Sequence, residues 1–244
     1  MDLTKDALEF LTELAAPTIH QDGEDREFSN RTLHPVNVDL PEPVKVSTLS
    51  GFCDLITGKI ENFAADQVIA QVVGHDRVSL IARISDPWGR RQTFIESHLP
   101  ELEPFRFGQF LDHENFLIGV MAHFTNTPDR EYLIQMASHI GTEKVRTSLD
   151  DGISQEATLK QGSSLKTSVT VRNRLQLAPF RTFREIDQPL SEFLFRLRGG
   201  SESAPPTLAL FEADGGKWKI DAMEGIGKYL RIVVNEATNI PVVI

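Results

Sequence analysis

Apolar residues recur at helical spacing from the start of the chain. Leu3, Ala7, Leu8, Leu11, Leu14 and Ala15 fall on one side of a helix over residues 2–16, with Asp2 as its N-cap and Pro17 as its stop. Residues 18–43 that follow are polar and punctuated by Pro35, Pro41 and Pro43, so the helix is expected at the end of a long extended connector, docked either on its own domain or on a neighbouring subunit. From residue 44 the pattern tightens. Val44 to Val46 predicts a strand, and 49–63 predicts a helix whose Leu49, Phe52, Cys53 and Ile56 face a core. Gly51 and Gly58 weaken that helix by about 1 kcal/mol each relative to Ala.

Two alternating runs, 68–73 and 77–84, flank Gly74-His75-Asp76 and predict a hairpin, with a third strand at 92–96 after the turn Asp86-Pro87-Trp88-Gly89. Two helices come next. One covers 112–124 with Phe116, Leu117, Val120, Met121 and Phe124 on its inner face, and the other covers 128–140 with Tyr132, Leu133, Met136, Ala137 and Ile140 inside. Thr127 is the cap of the second helix, Pro128 its first residue and Gly141 its terminator. Beyond them, 145–174 predicts paired strands broken at 150–152 and 161–164. Strands at 193–197 and 207–211 and a helix over 220–234 complete the chain.

Strands and helices are segregated rather than alternating. The fold class is therefore α+β: antiparallel sheets with segregated helices, preceded by a tethered N-terminal amphipathic helix. Three parts are expected: the helix and acidic arm (1–43), a helix, β-meander and helical-pair module (44–141), and a β-rich module with a closing helix (142–244). No internal repeat at a 20–50 residue period is present.

Composition adds compartment and charge. With 244 residues, 40% of them hydrophobic, the chain can bury a sizeable core. The single cysteine, Cys53, cannot form a disulfide within the chain and reads as a packed core thiol, which suits a reducing cytoplasm. The acidic N-terminus does not resemble a signal peptide, and no run approaches the ~18 apolar residues of a spanning helix, so a cytoplasmic protein without membrane contact is expected. The formal charge is −10, and it is uneven: residues 1–43 hold ten acids and three bases, which leaves 25 acids and 22 bases for the rest.

Against that background, residues 157–184 contain six bases and no acid: Lys160, Lys166, Arg172, Arg174, Arg181 and Arg184. On a continuous strand over 165–175, Lys166, Arg172 and Arg174 share one face while Leu165, Val169, Val171 and Leu175 share the other. Phe180, interleaved with Arg181 and Arg184, could stack a base while a guanidinium meets phosphate. Lys166, Arg172, Arg174, Phe180, Arg181 and Arg184 are thus candidates for binding an anionic partner. Three uses remain open for that face: plain solvation, pairing with the acidic arm or another subunit, and contact with a single-stranded nucleic acid. A pI of about 5.2 disfavours a sequence-independent duplex binder.

Catalytic and cofactor signatures are missing from the sequence. Neither a P-loop nor a dinucleotide fingerprint occurs, since Gly225-Ile226-Gly227 lacks the third glycine and reads as a packing or helix-bending feature. There is no Gly-x-Ser-x-Gly elbow. Seven scattered histidines and one cysteine do not make a zinc site. Asp150-Asp151-Gly152 and Asp214-Gly215-Gly216 could offer carboxylates to Mg²⁺, but such steps are also ordinary turn chemistry. No cofactor and no metal are expected.

The segments Leu177-Ala178-Pro179-Phe180-Arg181-Thr182-Phe183, Gln188-Pro189-Leu190-Ser191-Glu192-Phe193-Leu194-Phe195-Arg196 and Ala209-Leu210-Phe211-Glu212-Ala213-Asp214-Gly215-Gly216-Lys217-Trp218 resemble proteins of tailed phages and prophages. More distantly, the order of these segments is similar to the YfdQ-like family. The resemblance covers about 147–232 well and the preceding region loosely. It implies a phage or prophage origin and expression inside a bacterial host. That family has no agreed activity, so no catalytic residue is carried over.

Together these readings lead to a non-enzymatic, homo-oligomeric protein in which Leu3, Leu8, Leu11 and Leu14 make subunit contacts. Such a protein would self-assemble, or sequester or block a host component, including a defence system. The alternatives are a single-stranded nucleic-acid accessory protein of phage recombination or replication, and a metal-dependent enzyme acting on phosphate compounds through Asp150, Asp151 or Asp214.

Overall fold

A computed structural model describes residues 4–21, 27–29, 40–84, 90–101, 103–142, 144–150, 155–161, 165–200 and 205–244. The chain divides into two compact units, Met1–Pro41 and Glu42–Ile244. In the first, helix α1 (Lys5–Ala15) starts at Thr4, whose Oγ1 accepts from the Ala7 N–H at 3.4 Å. Asp2, the cap expected from sequence, and Leu3 lie outside the described residues. The connector is not simply extended: β1 (Ile19–Gln21) and β2 (Glu27–Ser29) pair antiparallel, with Ile19 opposite Ser29.

The second unit is α+β and carries two hydrophobic cores. Its elements begin with β3 (Val44–Val46), α2 (Leu49–Thr57), β4 (Val68–Gly74), β5 (Arg77–Ala82), β6 (Thr93–His98) and β7 (Leu111–Asp112). Helices α3 (His113–His123) and α4 (Pro128–Thr142) follow, then β8 (Lys144–Asp150), β9 (Gln155–Gln161), β10 (Leu165–Val171), β11 (Arg174–Leu177), β12 (Ser191–Arg198) and β13 (Thr207–Glu212). The chain closes with α5 (Lys217–Leu230), a π-helical turn over Arg231–Asn235, α6 (Glu236–Thr238) and β14 (Val242–Val243).

The first core lies between α3, α4 and an antiparallel sheet ordered β11-β12-β13-β7. Alternation sets the inner face: Leu175, Leu177, Phe193, Phe195, Leu197, Leu208 and Leu210 are buried, while Arg174, Gln176, Glu192, Arg196 and Arg198 take the other side. Phe116 and Val120 of α3 and Leu133, Ala137 and Ile140 of α4 fill the opposite layer. Met121, expected inside, is exposed, because α3 is apolar nearly all round and only the Phe116–Val120 side meets the sheet. Thr127 caps α4 as expected, its Oγ1 accepting from the Arg130 N–H at 3.1 Å, and the helix runs one residue past Gly141.

The second core packs α2, α5 and the π-helical turn on a five-stranded sheet ordered β14-β4-β5-β6-β3. This sheet is mixed, since β14 runs parallel to β4 and β3 parallel to β6. Helix α2 is shorter than the pattern suggested and stops at Thr57, where Gly58 supplies the last backbone N–H to Asp54 O at 2.8 Å.

The cores do not divide at 141/142. β7 joins β13 in the first sheet, β14 joins β4 in the second, and Phe183 packs among Phe52, Leu80 and Ile95. Each core therefore draws on both sides of the expected boundary, because the edge strands that complete each sheet come from the far part of the chain.

The continuous strand over 165–175 is corrected as well. β10 ends at Val171 and pairs with β9 in a three-stranded sheet ordered β10-β9-β8, whereas β11 starts at Arg174 and pairs with β12. Between them the chain is diverted: the Arg172 N–H donates to Tyr132 Oη at 3.0 Å, and Asn173 O accepts from Phe195 N at 2.7 Å.

Candidate functional site

The segment 179–188, which carries half of the candidate binding residues, ties the two cores together. Arg181 is mostly buried, its side chain 11% exposed. Its guanidinium pairs with Glu212 of β13, donates to Ser191 Oγ at 2.5 Å, and lies 3.9 Å over the Trp218 ring of α5. Burial pulls its pKa below the ordinary value, opposed by Glu212 and Asp214, and an arginine in this setting stays charged.

Its neighbours divide the same task. Thr182 Oγ1 donates to His75 O in the β4–β5 hairpin, and Phe183 is fully buried in the second core. Gln188 Oε1 accepts from the backbone N–H of Arg181 and Thr182 at 2.9 and 3.2 Å, which holds the loop closed. Glu185 Oε1 accepts from Ser50 N at 3.0 Å in the first turn of α2. A negative charge at a helix N-terminus is the favourable placement.

Two of the remaining bases are neutralised in place. Arg172 pairs with Asp129 at 3.1 Å and lies 3.8 Å over the Tyr132 ring, and Arg174 pairs with Glu192 at 2.6 Å. Arg184 is exposed and rests 3.6 Å over Phe180. The side chains of Lys160 and Lys166 lie outside the described residues. The structure thus places Arg172, Arg174, Arg181 and Arg184 against four different neighbours. It does not gather them on one strand face.

The other candidate set is on α1. Within its own unit the helix buries none of its residues, and Leu8, Phe10, Leu11 and Leu14 are between 51 and 62% exposed. Phe10 was missed from sequence because it flanks the Leu8–Leu11–Leu14 stripe instead of continuing it. Lys5 and Glu9, 3.7 Å apart, stand on the polar side.

A third feature has no precursor in the sequence reading. A cleft of about 510 Å³ runs along α3, bordered by Phe105, Arg106, Phe110, Asn115, Ile118 and His123. Asp112 caps α3: its carboxylate accepts from Asn115 N at 3.0 Å and Asn115 Nδ2 at 2.6 Å, and these bonds hold its pKa below the usual carboxylate value. His123 Nδ1 donates to Gly119 O at 2.9 Å, which leaves Nε2 as an acceptor in the neutral ring. Arg198 lies 4.0 Å over the Phe110 ring. Phe105 and Arg106 sit on an irregular stretch before β7, where no periodicity could have marked them.

Among the described residues no group of three metal-ligating side chains occurs. Asp214 is engaged as the lead-in to α5, accepting from Gly216 N at 3.0 Å and Trp218 N at 3.3 Å. Asp151 lies outside the described residues, as does the side chain of Asp150. No described helix is long and apolar enough to cross a membrane. Compared with known proteins, the chain matches no family model, no curated protein and no solved structure.

Proposed function

We propose that this is a phage- or prophage-encoded, non-enzymatic protein that assembles with copies of itself in the host cytoplasm through α1, and in that form sequesters or blocks a host component. The observation that carries this reading is the apolar stripe of α1, which the described residues of its own unit leave uncovered. An eleven-residue helix is marginal in water on its own, so packing of its apolar face against another surface is what would stabilise it. Leu8, Phe10, Leu11 and Leu14 each contribute roughly 1.5–3 kcal/mol when fully buried, a gain that works against the cost of association. The phage setting rests on the resemblance carried by 177–218, and a counter-defence role is one form that blocking a host component would take.

The nucleic-acid reading of the basic window has less behind it, since Arg172, Arg174 and Arg181 each face a carboxylate. The test is absolute mass by light scattering on a sizing column. The parent chain is expected as a defined multimer, and Leu8→Glu with Leu11→Glu is expected to lower its mass while circular dichroism loses no more than the signal of α1 and the main melting transition stays in place. A monomeric parent, or an unchanged multimer in the double variant, would remove α1 from this role.

A further inference from the structure

We infer that a second cleft, on the outward face of the five-stranded sheet, binds a small aliphatic zwitterion, an α-amino acid or a short peptide carrying one ammonium and one carboxylate. This site does not depend on self-association through α1. It lies where β3, β6 and β5 run side by side, and strand register builds it. Lys45 is level with Glu96 and Arg77 with His98, and Glu96 and His98 are two residues apart on β6, so all four side chains rise from one face. The opposite face belongs to the second core, where Val78, Leu80 and Ile95 are buried.

The cleft has a volume of about 430 Å³, within the roughly 300–1,000 Å³ of small-molecule sites. Half-buried Leu99 and exposed Pro100, just beyond β6, supply apolar surface for an aliphatic side chain. Two bonds fix that wall: the Leu99 N–H donates to Asp76 O at 2.8 Å, and His98 Nδ1 donates to Leu99 O at 2.8 Å.

Charge defines the ligand. Two cations, Lys45 and Arg77, and two carboxylates, Glu96 and Glu101, border this one cleft. Among the described residues none of these four side chains forms an ion pair or a hydrogen bond, in contrast to Arg172, Arg174 and Arg181. A purely anionic ligand would meet the repulsion of Glu96 and Glu101, and a purely cationic one that of Lys45 and Arg77, so the cleft favours a molecule that carries both charges. Glu96 stands between the cations, with Lys45 its direct neighbour on β3 and Arg77 its diagonal one on β5. A ligand whose ammonium meets Glu96 thus carries its carboxylate toward Arg77, whose planar guanidinium suits a bidentate grip.

A free amino acid and a short peptide offer the same pair of charges, and calorimetric titration of the full chain separates them. The probes are L-leucine, leucyl-leucine, isocaproate and isoamylamine, the last two being leucine without its ammonium and without its carboxylate. L-leucine is expected to bind about tenfold or more tightly than either truncated probe. Arg77→Ala is expected to weaken L-leucine by about tenfold or more and leave isoamylamine unaffected, whereas Glu96→Gln is expected to weaken L-leucine and not isocaproate. Both positions lie on the outward face of the sheet, and the melting temperature is expected to hold in both variants. Leucyl-leucine binding with L-leucine inert would assign the cleft to peptides, provided Arg77→Ala abolishes it. The proposal is overturned if neither L-leucine nor leucyl-leucine binds, if a truncated probe binds as well as the zwitterion, or if either variant binds like the parent.

Discussion

Arg181 lies with its guanidinium carbon 3.9 Å over the ring of Trp218, which makes one buried cation the meeting point of the two cores. The arginine stem comes from the 179–188 loop, Ser191 and Phe193 from β12, Glu212 from β13 and the indole from α5. Arg181→Ala would strip this packing and leave Ser191 and Asp214 without their cationic partner. The Glu212 carboxylate, 43% exposed, would rehydrate and limit the damage. We expect a loss of about 2–3 kcal/mol in urea unfolding. Arg174→Ala, at a side chain 75% exposed, should cost less than about 0.5 kcal/mol. Equal losses in the two variants would show that Arg181 joins nothing.

Glycines on two helices should respond to alanine in opposite directions. A Cβ on Gly119 would sit 2.8 Å from Phe105 Cε2, and Phe105 cannot retreat because it packs edge-on against Phe116 and Phe124. Gly119→Ala is expected to destabilise by about 1–3 kcal/mol despite the better helix propensity of alanine. At Gly225 the nearest atom is the flexible Ile186 Cδ1 at 3.2 Å, so Gly225→Ala should be neutral or stabilising by up to about 1 kcal/mol. Chemical denaturation of both variants checks the pair.

What the sequence made legible follows from where its signals are local. Strict periodicity and turn chemistry located α3, α4, the β4–β5 hairpin and the β12–β13 pair to within two residues. The Gly225-Ile226-Gly227 step was readable as packing, and a Cβ on Gly227 would indeed collide with Ile244. The basic window misled because alternation over 165–175 carries no record of long-range partners. Tyr132 and Phe195, far away in sequence, break that run into two strands in two sheets. Arg181 looked like its neighbours in sequence and proved to be buried, since only the tertiary arrangement brings Glu212 and Trp218 to it. The α3 cleft was invisible for the same reason, as only the tertiary arrangement sets the irregular stretch with Phe105 and Arg106 beside α3.

Cys53 should be chemically silent in the native protein. Burial, with Asp54 and Glu185 nearby, pushes its thiol pKa up to about 12, so almost no thiolate exists at neutral pH. A disulfide reagent in excess is expected to label it only at the rate of global or subglobal opening, and rapidly once urea unfolds the chain. Fast stoichiometric labelling under native conditions would mean that the α2 side of the second core opens far more often than its packing implies.

Acid should loosen the junction at His75 before it reaches the carboxylates. The ring stands edge-on to Trp218, with centroids 4.7 Å apart, and its pKa is lowered chiefly by burial; Lys219 and Arg181 add to the effect and Asp76 opposes it. The unfolded chain, titrating near 6.5, then binds the proton more readily than the folded one. The contribution of His75 to stability is therefore complete above pH 6.5 and declines as pH falls through that value toward the lower folded pKa. Asp112 and Asp214 are also held below their ordinary value of 3.8, so their contribution is lost only further down, and the window between pH 7 and pH 5 separates His75 from these two carboxylates. Melting temperatures across that window should fall less steeply for His75→Phe, which keeps an edge against Trp218 and removes the titration. A variant profile parallel to that of the parent would place the acid sensitivity elsewhere.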